Sequence, residues 1–365
     1  MLTTNEIGGR IAVARKLKNL SQAQLAEQLA VSAQAVGKWE RGESMPDILM
    51  FQRMAAVFGT DLNYFAWEGA ATPEANQAEP AGGMPTEPER PGWNMSRGNW
   101  VDADFSGLSG LAERFSGANI ERCRFVGSEM AGLKLRENNI RDSDFSDSVF
   151  RGSRFCDSNL IGCDFSASSL GGSQISNSNL ERSVFASSSL EGCWVGDSNL
   201  IGCDFTSSSL DGSQISDSNL ERSVFTSSSL DGCQISDSNL ERSVFASSSL
   251  EGCWVGDSNL IDCDFSASSL SGCQVSNSNL ERSVFAGCDF SQSEFVDSNL
   301  TNCDFSAANL MDAAIRCCNF EKVNLDGAVL RGTKFIDCRA DRLTFAFLKA
   351  CEADLSGVEM IEDEV

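Results

Sequence analysis

The sequence predicts two unlike parts: an all-α head, then an all-β solenoid whose chain turns four corners in every twenty residues. Three observations carry this. From 105 to 360 every fifth residue is large and apolar, with Gly110, Ala340 and Ala350 the exceptions among 52 positions. Five of the six prolines fall between 73 and 91, and none follows. Ahead of the prolines the apolar residues recur at helical spacing instead.

Residues 1–69 form the head. Ile7, Ile11, Ala14 and Leu17 make one apolar stripe. "SQAQLAEQLA" opens with Ser21 and has Gln24 three residues on, which is a capping box. In "VSAQAVGKWERG", Ser32 is a second N-cap, Val36 and Trp39 point inward, and Gly42 stops the helix. "PDILMFQRMAAVFG" supplies a further helix with Ile48, Phe51, Met54, Ala55 and Phe58 on one face, and Asp61 caps a short last one. Two short helices joined by "LAVS" describe a helix-turn-helix.

"LSQAQLAEQLAVSAQAVGKWERGESMPD" resembles the Cro/CI (XRE) repressor family over about 65 residues, through its order of Ser-Gln, Leu-Ala, Val-Ser and Lys-Trp-Glu-Arg-Gly. That resemblance implies double-stranded DNA as the partner of residues 1–69, with the helix over 32–41 in the major groove. The base-reading positions become Ala33, Gln34, Gly37 and Lys38. Gln34 suits a bidentate pair with adenine, and Lys38 suits guanine or a phosphate. Gln22, Ser32, Arg41 and Arg10 become phosphate contacts. Ala33 and Gly37 are small where the family often has a polar side chain, so few base contacts remain for one head. Repressors of this type bind paired half-sites, which implies a homodimer.

Residues 70–99, rich in Pro, Glu, Gly and Ala, read as a linker with an average reach of roughly 30 Å. From 100 to 360 the rule of five takes over. It fits neither a 3.6-residue helix nor a two-residue strand, but it fits a chain that turns a corner at each fifth residue. Four corners give a square coil of twenty, and 101–360 make about 13 coils, roughly 62 Å long at about 4.8 Å per rung. The side chain two residues before each apolar one is small: Ala103, Ser143, Cys163, Ser168. This pattern resembles the pentapeptide-repeat family, which implies a right-handed quadrilateral β-helix. A fixed internal period is the mark of a solenoid. The segment "ERSVFASSSLEGCWVGDSNL" occurs twice unchanged, at 181–200 and 241–260, as recently duplicated coils would.

Positions twenty apart stack. Asn recurs from 119 to 319 and Gly at 132, 152 and on to 272; turn conformation explains the first and positive φ the second. Twelve of the fifteen cysteines occupy the small inward position, as buried hydrophobes. A straight column of thiols does not make a tetrahedral metal site. Cys156, Cys317 and Cys351 fall elsewhere and are the more reactive ones.

The net charge is −24. Residues 1–69 hold seven Lys/Arg and seven Asp/Glu, and 70–99 hold two and four, so the solenoid carries −22. Two acidic columns stand out, Asp197, Asp217, Asp237 and Asp257, and beside them Glu191, Asp211, Asp231 and Glu251. The corner of Glu181–Arg182, Glu221–Arg222, Glu241–Arg242 and Glu281–Arg282 neutralises itself. Trp194 and Trp254 point outward three coils apart, about 14 Å. Glu191, Trp194, Asp197, Asp217, Asp237, Glu251, Trp254 and Asp257 are therefore the candidate partner surface. Some pentapeptide-repeat proteins resemble DNA in width and charge and bind DNA gyrase, so the resemblance makes gyrase, with protection against quinolone-like inhibitors, a second expectation. A purely solubilising surface is the plain alternative. Phe345, Phe347 and Leu348, ahead of the acidic tail 361–365, suit self-association of an open solenoid end.

There is no histidine, hence neither the commonest general base nor the commonest metal ligand. With no phosphate loop and no convergent nucleophile, the chain reads as a non-enzyme without catalytic residues, metal or cofactor. No run of apolar residues is long enough to span a membrane and no leader is seen, so a reduced cytoplasmic setting is expected. The primary functional expectation is a sequence-specific transcriptional regulator whose rod dimerises it or binds a partner.

Overall fold

The structure is a computed structural model, and it describes residues 4–46, 48–60, 63–66, 95–111, 115–351 and 353–361. The Asp61 cap, most of the linker and the tail beyond 361 lie outside these residues.

Five helices make the head: α1 (Thr4–Leu17), α2 (Gln22–Leu29), α3 (Ala33–Glu40), α4 (Ile48–Phe58) and α5 (Asn63–Ala66). Both expected caps form. Gln24 N donates to Ser21 Oγ at 3.1 Å while Ser21 N donates to Gln24 Oε1 at 2.8 Å, and Ala35 N donates to Ser32 Oγ at 3.1 Å. The turn between α2 and α3 passes through Ala30 at φ 55°. Ile11, Leu25, Val36, Met54 and Phe65 are fully buried between the helices. The stripe on α1 departs from expectation at its end. Leu17 is 45% exposed, and Arg15, four residues beyond Ile11, turns inward instead.

The second part is a parallel β-solenoid of about 13 turns. A four-stranded sheet runs from Asn99–Val101 through Asn119–Glu121 and Asn139–Arg141 to Asn159–Ile161, and an eleven-stranded sheet runs from Lys134–Arg136 to Lys334–Ile336. Each strand pairs with one twenty residues away, as Trp194 does with Gln214. In the coil 181–200 the four corners sit at Arg182, Ser187, Gly192 and Asp197, with φ of 58°, 59°, 63° and 50°. Ser183 N to Leu180 O, Ser188 N to Phe185 O and Cys193 N to Leu190 O close three of these turns. A left-handed residue third in a closed turn is the type II geometry. It explains why glycine, asparagine and aspartate crowd these positions, glycine most freely.

The axis is filled as expected. Phe165, Phe185, Phe205, Phe225 and Phe245 stack with ring centroids 5.0, 5.0, 4.8 and 4.7 Å apart and planes within 6° of parallel. That spacing is the rung spacing of a parallel sheet. The small inward residues do more than save space. Ser183 Oγ accepts from Cys163 N at 3.0 Å and donates to Leu160 O at 2.6 Å, so each hydroxyl ties its turn to the previous coil. A thiol does the donating half of this work, Cys193 Sγ to Leu170 O at 3.2 Å, which accounts for Ser and Cys exchanging places. The asparagine column forms side-chain ladder bonds, as Asn259 Nδ2 to Asn239 Oδ1 at 3.0 Å, and Asn239 and Asn259 Oδ1 also receive the N–H two residues on. These asparagines stand before the corners, not on them.

The regular phase fails in two places. At Gly110, φ 72°, there is no side chain to bury, and Leu111 is buried instead. Near the other end, α6 (Arg342–Ala350) replaces part of a coil. The corner positions there are Arg342 and Phe347, and phenylalanine adopts the left-handed conformation at a cost. Asp341 caps α6, accepting from Leu343 N at 2.9 Å and Thr344 N at 3.2 Å. Strand Glu359–Ile361 then resumes the ladder on Arg339–Asp341. Among the described residues no helix is long and apolar enough to cross a membrane.

Candidate nucleic-acid interface

The exposed face of α3 carries Ala33, Gln34 and Lys38, with the cap Ser32 exposed at its start. Ser32 spends one oxygen lone pair on Ala35 N and keeps its hydroxyl proton for an acceptor outside. Arg41, just past α3, is exposed and bridges Glu43 through Nε at 2.7 Å and Nη2 at 3.1 Å. A bridge so exposed is worth little and yields readily to a phosphate.

Three of the sequence-selected residues are held within the fold. Gly37 is buried, with Arg41 Nη1 3.1 Å and Gln22 Oε1 3.6 Å from where a Cβ would stand. It offers no edge to a base; it lets two side chains lie over α3. Gln22 Nε2 donates to Glu40 Oε2 at 2.7 Å. Arg10 is half-buried and its Nη1 donates to Tyr64 O at 2.8 Å, so it fastens α1 to α5.

The residues that aim α3 stand outside the set selected above from the sequence. Arg15 grips Glu40 through Nε at 2.5 Å and Nη2 at 3.0 Å, and also donates to Leu20 O at 2.7 Å. Only 10% and 7% of the two side chains is exposed. Burial pushes the Glu40 carboxyl up, but hydrogen bonds from Arg15 and Gln22 outweigh it and hold it below the usual carboxylate range. The bond from Glu40 correspondingly raises Arg15. One carboxylate thus links α1, α2 and α3. The signal was present: Ile7, Ile11 and Arg15 lie four apart, and a charge on an apolar stripe requires a partner.

On the solenoid, Trp194 and Trp254 are half-buried. Each indole lies across the glycine two residues on, where a Cβ would meet the ring at 2.4 Å at both Gly196 and Gly256. Coils with Gln174, Gln214, Gln234 and Gln274 in the same column carry Ser176, Ser216, Ser236 and Ser276 instead of glycine. Trp-x-Gly and Gln-x-Ser are two solutions for covering one strand.

Asp197, Asp217, Asp237 and Asp257 all sit on one left-handed corner, at φ of 50–52°. Asn177 and Asn277 occupy the same corner, at 47° and 50°, without charge. In the neighbouring column Asp211 Oδ1 accepts from Ser229 Oγ at 2.6 Å and Asp231 N at 3.0 Å. Glu191 and Glu251 accept from Ser209 and Ser269 at 3.2 and 2.8 Å. The expected self-neutralising corner is present, Arg182–Glu181, Arg222–Glu221, Arg242–Glu241 and Arg282–Glu281 at 2.8, 3.0, 3.2 and 2.6 Å.

All fifteen cysteines are free, and the twelve at the inward position are buried. Cys156 is half-buried; Cys317 and Cys351 are exposed. Among the described residues no group of three or more His, Cys, Asp or Glu can hold a metal ion.

Comparison with known proteins follows the same division. Residues 11–65 match the helix-turn-helix family model. Residues 118–195 and 268–345 match the pentapeptide repeat region, and 183–222, 203–242 and 243–282 match pentapeptide repeats of eight copies. No curated protein matches the chain. Among solved structures, it is similar to HetL, a pentapeptide repeat protein involved in heterocyst differentiation regulation from the cyanobacterium Nostoc sp. strain PCC 7120. Identity is 20% over 62% of this chain and 91% of HetL, with a TM-score of 0.31. It is also similar to QnrB1, a plasmid-mediated fluoroquinolone resistance protein, at 20% identity over 70% of this chain and 99% of QnrB1, TM-score 0.26.

Proposed function

Because the chain belongs to the pentapeptide-repeat proteins and carries a helix-turn-helix domain ahead of its repeats, we propose that it is a sequence-specific DNA-binding regulator of transcription, with the rod dimerising it or receiving a partner. The observation that carries this reading is the presentation of α3. Gln34 and Lys38 stand exposed on a helix whose orientation is fixed by the Arg15–Glu40–Gln22 cluster. A side chain able to pair with an adenine edge, on a helix held from behind, is what direct readout in the major groove requires. Dimerisation is supported by the last coil, where Leu343, Phe347 and Met360 are 80%, 36% and 47% exposed. The test is immunoprecipitation of the protein from its own cells with sequencing of the attached DNA. A few sharply enriched loci support regulation, and uniform recovery of the genome contradicts it. Gln34→Ala should remove the enrichment while leaving bulk binding.

A second reading rests on the acidic columns. Asn177, Asn277, Gly171 and Ser271 show that the corners fold without carboxylates, so charge over 191–257 exceeds what the coil needs. Such a surface suits a cationic protein partner, including a topoisomerase that ordinarily grips DNA, and with it protection against quinolone-like inhibitors. A gyrase supercoiling assay with the full chain tests this. Inhibition or drug protection relieved by Asp197→Asn and Asp257→Asn favours it, and no effect at micromolar protein excludes it.

A further inference from the structure

Charge is distributed in blocks along the solenoid. Residues 95–160 hold nine Lys/Arg and ten Asp/Glu, 161–310 hold four and twenty, and 311–365 hold seven and eleven. Within the first block four of the nine cations gather on one surface. Lys134, Arg136 and Arg154 project from the first two strands of the eleven-stranded sheet, and Arg151 projects from the adjoining corner; all four are exposed. Lys134 and Arg154 are register partners, so two like charges stand one rung apart. Arg136 faces Glu137 and Asp157 at 3.4 and 3.6 Å. Arg151 Nε donates to Ser169 Oγ at 2.9 Å, and among the described residues no carboxylate lies within ion-pair distance of Arg151 or Arg154.

The fold does not need these cations. The same columns continue with Gln174 and Trp194 after Arg154, Ser176 after Cys156, and Gly171 after Arg151. No outward position of the sheet strands from Lys134–Arg136 to Gln274–Ser276 is acidic. Like charges stacked at one rung's distance repel, and a line of phosphates relieves that repulsion. The patch also lies in coils 121–140 and 141–160, near the end of the solenoid that follows the helical head. Twenty-eight residues separate Ala66 from Met95, enough for head and patch to lie on one duplex.

We propose that the surface of Lys134, Arg136, Arg151 and Arg154 is a second DNA contact, which holds backbone phosphates flanking the site read by α3. This rests on the DNA-binding reading above. The patch adds affinity without sequence preference, and the acidic coils beyond it keep the duplex from running further along the rod.

The test uses the full chain and a duplex about 40 base pairs long of arbitrary sequence, by fluorescence anisotropy across about 50 to 200 mM KCl. Arg154→Gln takes the residue of the next coil, and Arg151→Gln removes the charge from an exposed position. The double variant should bind roughly tenfold more weakly at the middle of that range, and the slope of log affinity against log salt should shrink by about 1.8. The control, Arg316→Gln with Lys334→Gln, removes two charges from the far end of the same sheet and should change neither. An unchanged slope in the first variant, or an equal loss in both, overturns the second contact while the DNA-binding reading stands. Failure of the unaltered protein to bind any duplex overturns both.

Discussion

Glu40 ties three helices of the head together through Arg15 and Gln22. Its carboxyl is held low in the folded state, so the stability it brings is complete above the unfolded carboxylate range and is lost as pH falls through the folded value. Glu40→Gln should cost about 3 kcal/mol at neutral pH, because it leaves Arg15 buried without its counter-ion. The gap between variant and parent should close on acidification, read as helix melting at 222 nm. The indole–glycine pairs allow a sharper test. Gly196→Ser alone drives a Cβ into the ring of Trp194 and should destabilise the rod by about 1–3 kcal/mol. Adding Trp194→Gln recreates the pair seen at Gln214 and Ser216 and should recover most of that loss. Additive losses in the cycle would refute the pairing. Thiols divide just as cleanly. Burial pushes Cys163, Cys203 and Cys303 up to about 12, so at pH 8 a thiol reagent should modify native Cys317 and Cys351 quickly, Cys156 more slowly, and the other twelve only after unfolding.

At the scale of the element, the five-residue period is legible because a single geometric demand, an apolar side chain inside each corner, repeats through nearly every coil. The corner residues were legible for the same reason, since left-handed φ admits few residue types cheaply. What escaped sequence reading were relations between side chains that no period marks. An outward position is not a free one: each indole lies flat, and in the letters only the glycine two residues on marks it. The α6 interruption keeps only Phe345 in phase, and its signature in the letters is the small Ala340 and Ala350 on either side of it, with the unsuitable Phe347 at a corner. Gly37 and Arg10 were drawn into the DNA-reading set by analogy of position, whereas packing against Gln22, Arg41 and Tyr64 decides what they do. The stacked phenylalanines make each coil depend on its neighbours. Phe205→Ala should therefore cost about 3–5 kcal/mol, and hydrogen exchange should quicken first in the coils around 205, with the ends of the rod less affected.

The whole molecule joins a charge-balanced head to a strongly acidic rod. Such a chain is repelled by DNA at long range and held only where cations and readout residues converge. Under the proposed function, specificity is expected from two heads on paired half-sites, brought together by the rod. The most direct measurement is selection of bound fragments from a random duplex library by the full-length protein at about 150 mM salt. A two-fold related sequence with half-site centres about 10 base pairs, or a multiple of that, apart should be enriched, and Gln34→Ala with Lys38→Ala should abolish the enrichment. Recovery of fragments indistinguishable from the input library would contradict it.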